Sequence, residues 1–445
     1  MLTMGRRAHT QVYGRDRAAA VRIAVGRRGP GYRCHVATRE DAVAVPARER
    51  ASSVVPLVAL FVAALALRPQ LLAIGPLLPT IRADLGIAHA AAGLLGGIPV
   101  LCMGLLAPAG PRLVARLGTR SALALSLTGI ALFGLLRSAA PDATTILLAT
   151  TAIGISVGSA GAIPAIFVKL RSAASPVLGT GAYAGGIVAG STLAAALAVP
   201  LAGPDGDWRF ALAAISVASL VPIVVWLALV RPDRPDERAG STAPRLPWRS
   251  STAWLLVLLF ALQSMLYYGL VAWLPNTYVE RGWDEASAGG LLALMNGVGL
   301  ITTLSVPLVA DRFGTRRSQL LVSALAAVVG LLGVLLAPEA GVLWSVVLGL
   351  SLGAVFPLVL TLPIDVADRP ADVGAVAALM LLGGYVLAST APVVLGAIRD
   401  VSGSFVASFW GMVVIAVGLA ATTLLLTPKR VRRGIRRGDV PAPIA

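Results

Sequence analysis

Charge is what this 445-residue chain has least of: 13% of its residues are Asp, Glu, Lys or Arg, against 57% hydrophobic ones. A soluble protein of this length exposes far more polar surface, and the mean hydropathy of +0.83 argues against a water-soluble globule. Acid is scarcer than base, with 21 Asp and Glu against 37 Lys and Arg. Two cysteines, Cys34 in an Arg-rich tail and Cys102 in an apolar run, leave no disulfide framework, and Cys102 reads as a small core hydrophobe. His9, His35 and His89 are scattered, so no metal-ligand cluster is expected, and no cofactor. No nucleophile elbow, phosphate loop or dinucleotide fingerprint occurs, which leaves an enzyme reading without a catalytic constellation.

Long apolar runs take the place of these motifs. A hydrocarbon layer is ~30 Å thick, about twenty helical residues. Twelve runs suit that length: 54–78, 90–111, 121–136, 144–168, 176–202, 210–230, 252–275, 287–309, 319–336, 341–364, 373–397 and 405–427. Their backbones must bond internally in lipid, so they are expected to be helices, and the alternation of a membrane barrel is missing. The expected fold class is an all-α membrane protein of twelve transmembrane helices in two pseudo-symmetric six-helix bundles.

The net charge of +16 invites a nucleic-acid partner, but the placement of the charge argues otherwise. With the amino terminus in the cytoplasm, 31 basic residues fall in the tails and alternate loops. The opposite loops keep five: Arg82, Arg137, Arg209, Arg281 and Arg399. That bias places both termini in the cytoplasm of a multi-pass protein of a bacterial inner (plasma) membrane, with the lipid bilayer rather than nucleic acid as partner. Lysine is limited to Lys169 and Lys429, as GC-rich bacterial coding would give.

The chain also repeats itself at an offset of 196 residues. Leu78-Pro79 returns as Leu274-Pro275, Ala92-Gly93 as Ala288-Gly289, and Arg116-Leu117-Gly118-Thr119-Arg120 as Arg312-Phe313-Gly314-Thr315-Arg316. Gly154 to Gly158 resembles Gly349 to Gly353, and Gly185-Gly186 resembles Gly383-Gly384. A head-to-tail repeat of this size points to two parallel domains with a site between them. The expected division is a basic, disordered tail over 1–50, a six-helix bundle over 51–230, a Pro-rich cytoplasmic linker over 231–251, a second bundle over 252–428 and a basic tail over 429–445. Such a fold needs no second copy to form its path, so a monomer is expected to suffice.

One basic residue lies deep inside an apolar run: Arg68, followed by Pro69. A charge at that depth costs ~2.5–3.5 kcal/mol on insertion scales, which makes a functional reading the default. Pro69 removes a helix hydrogen bond and should kink the helix beside the cation. Arg68 then either meets a solute or locks the helix through end carbonyls. No run carries a mid-membrane acid to pair with it: Asp84, Asp142, Asp284, Asp365 and Asp400 fall at helix ends or loops. A facilitator, or an exchanger whose substrate carries the coupling, fits better than a carboxylate-driven proton antiporter, and the solute or its polar atoms could supply the negative charge that Arg68 lacks.

The repeat sets Arg68 opposite Ser264. Gln263 and Tyr267 share one face of that helix and Ser264 and Tyr268 another, at the depth expected of a cavity lining. Trp273 and Tyr278 suit an interfacial aromatic belt instead. Asn296, Tyr183 and Tyr385 are further lining candidates. Gly185, Gly186, Gly190, Gly383 and Gly384 are expected to permit close helix packing rather than bind.

The segment Asp311-Arg312-Phe313-Gly314-Thr315-Arg316-Arg317 resembles the signature loop of the major facilitator superfamily, Gly-x-x-x-Asp-Arg-x-Gly-Arg-Arg. Asp311, Arg312, Gly314 and Arg316 match it. The first copy keeps Arg116, Gly118 and Arg120 but has Ala115 where the Asp belongs, so its latch is incomplete and the second half is left to carry that contact. Leu67-Arg68-Pro69, the run Gly75 to Gly86, and Leu262-Gln263-Ser264 through Pro275 resemble the cyanate and 2-nitroimidazole transporter family. The resemblance spans about 52–428. It implies small, compact, polar or anionic cargo. Together with the residues read above, the expectation is alternating access between the two bundles, with Arg68 and Gln263 binding the solute, Tyr267 packing on it, and the loops around Arg116 and Asp311 latching the outward-open state. A multidrug exporter of the same superfamily and a non-transporting membrane sensor are the alternatives.

Overall fold

Peptide groups in lipid find no partner except one another, and the apolar runs coil accordingly. A computed structural model of the chain describes residues 47–171, 176–233, 246–309, 315–367 and 370–427, which form helices and short turns with no strand. Among the described residues, eleven helical segments are long and apolar enough to cross a membrane. They are α1 (Val54–Leu85), α3 (Ala109–Ser138), α4 (Ala143–Arg171), α5 (Leu178–Ala202), α6 (Trp208–Leu229), α7 (Ser251–Glu280), α8 (Glu285–Val306), α9 (Arg316–Leu336), α10 (Pro338–Val366), α11 (Val373–Ser402) and α12 (Phe405–Leu424). The shorter apolar helix α2 (His89–Leu105) makes twelve. The expected fold class stands, with α1–α6 and α7–α12 as its two bundles. The basic tails up to 46 and from 428, and linker residues 234–245, lie outside the described residues.

Helix ends follow from local chemistry. Asp142 accepts from the Thr145 amide at 2.9 Å, Asp207 from Phe210 at 3.0 Å and Ser250 from Ala253 at 3.3 Å, each satisfying an otherwise orphan first-turn donor. The bonds from Thr145 hold the Asp142 carboxyl below its ordinary range. Gly86 and Gly403 close α1 and α11 at φ 62° and 77°, where a side chain would be strained. Large aliphatic side chains such as Leu148, Val221, Ile301 and Val414 are 63–71% exposed, a surface suited to acyl chains rather than water.

The sequence repeat is realised as repeated contacts. A Cβ on Gly158 of α4 would sit 2.4 Å from the Cys102 carbonyl of α2. The counterpart Gly353 of α10 would meet the Gly299 carbonyl of α8 at 2.5 Å. Gly186 of α5 rests on the Phe61 carbonyl of α1, while Gly384 of α11 rests on the Phe260 ring of α7. Absent side chains let these backbones touch, as in other membrane helix pairs. Cys102 is the buried small hydrophobe expected of it.

Between the bundles, α2 faces α11 and α5 faces α8. Gly93 abuts the Pro392 carbonyl and Gly97 the Ser389 carbonyl, while Gly297 lies against Thr192. Gly75 of α1 approaches the Val271 carbonyl of α7 so closely that a Cβ would sit 2.0 Å from it. This contact lies toward the far end, opposite the linker.

Candidate functional site

The site begins with a break in α1. The first piece, Ala47–Leu65, stops, and Pro69–Leu72 starts a new turn with Arg68 as its N-cap at φ −124°, ψ −7°. Proline at the first helical position needs no amide donor, so Pro69 opens a turn rather than kinking a continuous helix as the sequence suggested. The Leu65 carbonyl, which Pro69 could not have satisfied, lies against Gly190 of α5, where a Cβ would be 2.0 Å away. The glycines of α5 thus pack on α1, as expected, and the break presents Arg68 sideways.

Arg68 faces a cavity of about 80 Å³. Val188 joins it from the first bundle, and Gln263, Ser264, Tyr267, Tyr268, Asn296 and Tyr385 line it from the second. The guanidinium donates to the Tyr385 hydroxyl at 3.4 Å. Tyr267 donates to Asn296 Oδ1 at 2.9 Å, and Ser264 to Gln263 Oε1 at 3.2 Å. Tyr268 lies edge-on to Tyr267, with ring centroids 5.2 Å apart. The lining holds one cation and no carboxylate. Uncharged hydroxyls and amides over aromatic walls can hold a small solute carrying one negative charge, with few competing acceptors nearby.

Seven of the eight residues singled out for binding therefore share one cavity. Tyr183 does not; it is half-buried among core side chains. Ser191 and Ser389 bond to their own helix carbonyls at 2.8 and 2.7 Å. Trp273 and Tyr278 are fully buried rather than interfacial, and Trp273 donates to the Pro392 carbonyl at 2.8 Å. An apolar ring with one donor satisfies either setting, so sequence alone misplaced them. Gly299, Thr303, Gly349, Gly353 and Phe356 also line the cavity and were not foreseen. Their signal was present: Asn296, Gly299 and Thr303 fall on one face, and Gly349 to Gly353 belongs to the repeat.

Arg137 is a larger correction. Assigned to a loop with the other far-end arginines, it is fully buried at the end of α3. Its Nη2 donates to the Gln70 carbonyl at 2.8 Å and to Gln70 Oε1 at 2.5 Å.

The far end is closed by contacts that cross between the bundles. The first turn of α2 has no side-chain cap of its own, since Ala88 occupies that position. Asp400 of α11 supplies it, accepting from the His89 amide at 3.1 Å, the Ala90 amide at 2.8 Å and His89 Nδ1 at 2.6 Å. Beside it Arg399 pairs with Glu280 at 2.6 Å. Asn276 of α7 donates to the Gly75 carbonyl at 3.1 Å, a carbonyl left free because Pro79 has no amide.

At the linker end the first loop has an acid after all. Asp233, just beyond α6, accepts from the Thr119 amide, from Thr119 Oγ1 at 2.9 Å and from Arg171 at 2.9 Å. Gly118, at φ 80°, turns the chain against that carboxylate. Arg116 is exposed, and Arg120 donates to the Leu227 carbonyl at 2.6 Å. In the second loop Arg316 pairs with Asp365 at 2.8 Å, while Asp311, Arg312 and Gly314 lie outside the described residues. Among the described residues, no cluster of three potential metal ligands occurs.

Comparison with known proteins agrees with this fold. The sequence model of the Major Facilitator Superfamily matches residues 57–392. The cyanate transport protein CynX of Escherichia coli is 32% identical over 375 residues, covering 84% of this chain and 97% of that protein. The 2-nitroimidazole transporter of the same organism is 28% identical, covering 82% of this chain and 94% of its own length. Among solved structures, a bacterial homologue of the human lysosomal transporter Spinster, inward-facing and occupied, superposes at a TM-score of 0.69 and 15% identity, over 89% of this chain and 99% of that one. A D-xylose–proton symporter gives 0.67 at 16% identity, over 84% and 98%. These two likenesses bear on the fold alone.

Proposed function

We propose that this chain, which belongs to the major facilitator superfamily and is a membrane transporter rather than an enzyme, carries a small, singly charged anion or a polar isostere past Arg68. The observation that carries the reading is the cavity itself: one guanidinium, no carboxylate in the lining, and about 80 Å³ of room. At ~10–15 Å³ per water position, that room holds roughly five to eight waters, which limits cargo to about as many non-hydrogen atoms. The names of the two Escherichia coli relatives make cyanate and 2-nitroimidazole the first solutes to test. A multidrug exporter would want a roomier, more apolar chamber.

Transport would proceed by rocking residues 51–230 against 252–428. Opening the far end would break the Asp400–His89 and Asn276–Gly75 contacts, and the loops around Asp233 and Arg316 would brace the linker end. The bias of basic residues supports a cytoplasmic linker end and cytoplasmic termini in a bacterial inner membrane. The path runs within one chain, so a monomer would suffice.

Arg68→Ala is expected to weaken solute binding about ten- to a hundredfold, the worth of one charge-assisted hydrogen bond, and to abolish uptake. The protein should still reach the membrane. Thermal-shift titration and uptake of cyanate and 2-nitroimidazole measure both effects, since a ligand of the native state raises its melting point. Full uptake by Arg68→Ala would remove the guanidinium from the mechanism.

A further inference from the structure

Arg137 is the second deeply buried cation of the first bundle, and nothing in the cavity uses it. It has no carboxylate among its described partners; its Nη2 reaches only Gln70, and Nε and Nη1 find no protein acceptor. Desolvating a guanidinium without a counter-ion is expensive, and an apolar side chain would fill the space without that cost. What the charge reaches is therefore informative. Gln70 lies two residues after Arg68, inside the turn that Arg68 caps. The break leaves the Gln70 carbonyl outside the regular helix ladder, and Arg137 binds that carbonyl together with the side chain of the same residue. Gln70 is itself fully buried and passes the constraint on, donating from Nε2 to Ser216 Oγ at 2.8 Å; Ser216 in turn donates to the Leu212 carbonyl of α6 at 2.7 Å. Gly134, one turn before Arg137, leaves room for the network: a Cβ there would lie 2.9 Å from Gln70 Nε2 and 2.5 Å from Ser216 Oγ.

We infer that Arg137 is a positioning residue: through Gln70 it fixes the short turn 69–72 and so aims Arg68 into the cavity. The inference rests on the reading of Arg68 as the cargo's ligand, but its geometry is testable without any cargo. The turn is too short to hold its own orientation, since its internal bonds run only from Leu71, Leu72 and Ala73 back to Arg68 and Pro69. Packing against α5 leaves its hydrogen-bonded fastening to α3 and α6, through Gln70. A main-chain carbonyl and an amide oxygen accept equally well from a neutral donor. The guanidinium supplies both charge-assisted bonds from one nitrogen, Nη2, of a rigid planar group, which fixes direction as well as distance.

The test replaces both native thiols (Cys34→Ala, Cys102→Ala) and introduces Arg68→Cys, with Ser264→Cys on the facing wall as a control. Labelling by a small methanethiosulfonate is followed in purified protein. Adding Arg137→Met is expected to slow labelling at position 68 on the order of tenfold, about 1.4 kcal/mol of lost orientation, with position 264 unaffected. Arg137→Lys, which keeps a charged donor, should restore most of the rate. A purely structural arginine would lower the yield or melting point and leave the rate at position 68 unchanged, and that result overturns the inference. If Arg137→Met does not accumulate, Gly134→Ala displaces Gln70 with the arginine in place, and an unchanged rate there is equally fatal. Because the readout is geometric, its failure is separate from a failure of Arg68→Ala to stop uptake.

Discussion

Exchanging Asp400 for Asn strikes the far-end closure at one atom pair. The carboxylate accepts three bonds from the opposite bundle, two from first-turn amides of α2 and one from His89 Nδ1. A buried charge-assisted bond is worth ~1.5–3 kcal/mol, and solvent reaches this side chain, 28% exposed, so about 1 kcal/mol each is a fair value. An amide keeps one acceptor oxygen and turns its NH2 toward donors, so about 1.5–2 kcal/mol of closure is lost. That shifts the balance of closed and open forms roughly ten- to thirtyfold toward open. Val271 is 6% exposed with its carbonyl against Gly75, so it is expected to become more reachable when the far end parts. In a background without native thiols, Val271→Cys reports the change as a rate of maleimide labelling in detergent. Asp400→Asn should raise that rate about tenfold or more. A rate within twofold of the parent would show that the cross-bundle cap does not hold the gate.

Three further outcomes follow from close contacts elsewhere. Gly190→Ala drives a methyl group toward the Leu65 carbonyl and should cost about 1–3 kcal/mol, seen as a lower melting temperature and lost uptake; an unaltered melt would mean that α5 does not brace the break. Asn276→Leu leaves the Gly75 carbonyl without its side-chain donor, at about 1–3 kcal/mol, and should also speed labelling of the Val271→Cys thiol. Asp233→Asn removes the charge that binds Thr119 and Arg171, and a drop in melting temperature that shrinks in high salt is expected; a salt-independent drop would assign the effect to packing.

The twelve helices and the pairing of Gln263 with Tyr267 and of Ser264 with Tyr268 were legible because lipid leaves the backbone one economical solution and helical spacing then decides neighbours. Arg68 declared itself by being a charge in an apolar run. Arg137 escaped notice because it closes its helix beside a turn, where a buried arginine and a loop arginine look alike in one dimension. Asp233 was equally hidden. It lies 114 residues from the loop it serves, and the signature predicted its acid at position 115 instead. Asp400 and His89, separated by 311 residues, read as an ordinary helix end and a stray histidine. Periodicity reports which residues share a face; it carries no word on which faces meet across two bundles.

The chamber around Arg68 is walled in part by main chain. Gly299, Gly349 and Gly353 line it, and the latter two already touch the carbonyls of Gly299 and Met295 at distances no methyl group could enter. Side chains can be trimmed to enlarge a binding site, but glycine offers nothing to trim. Point mutations on this wall can only subtract room, so along the glycine face the limit on cargo size is written into helix spacing and would yield to a shifted helix rather than to a smaller residue.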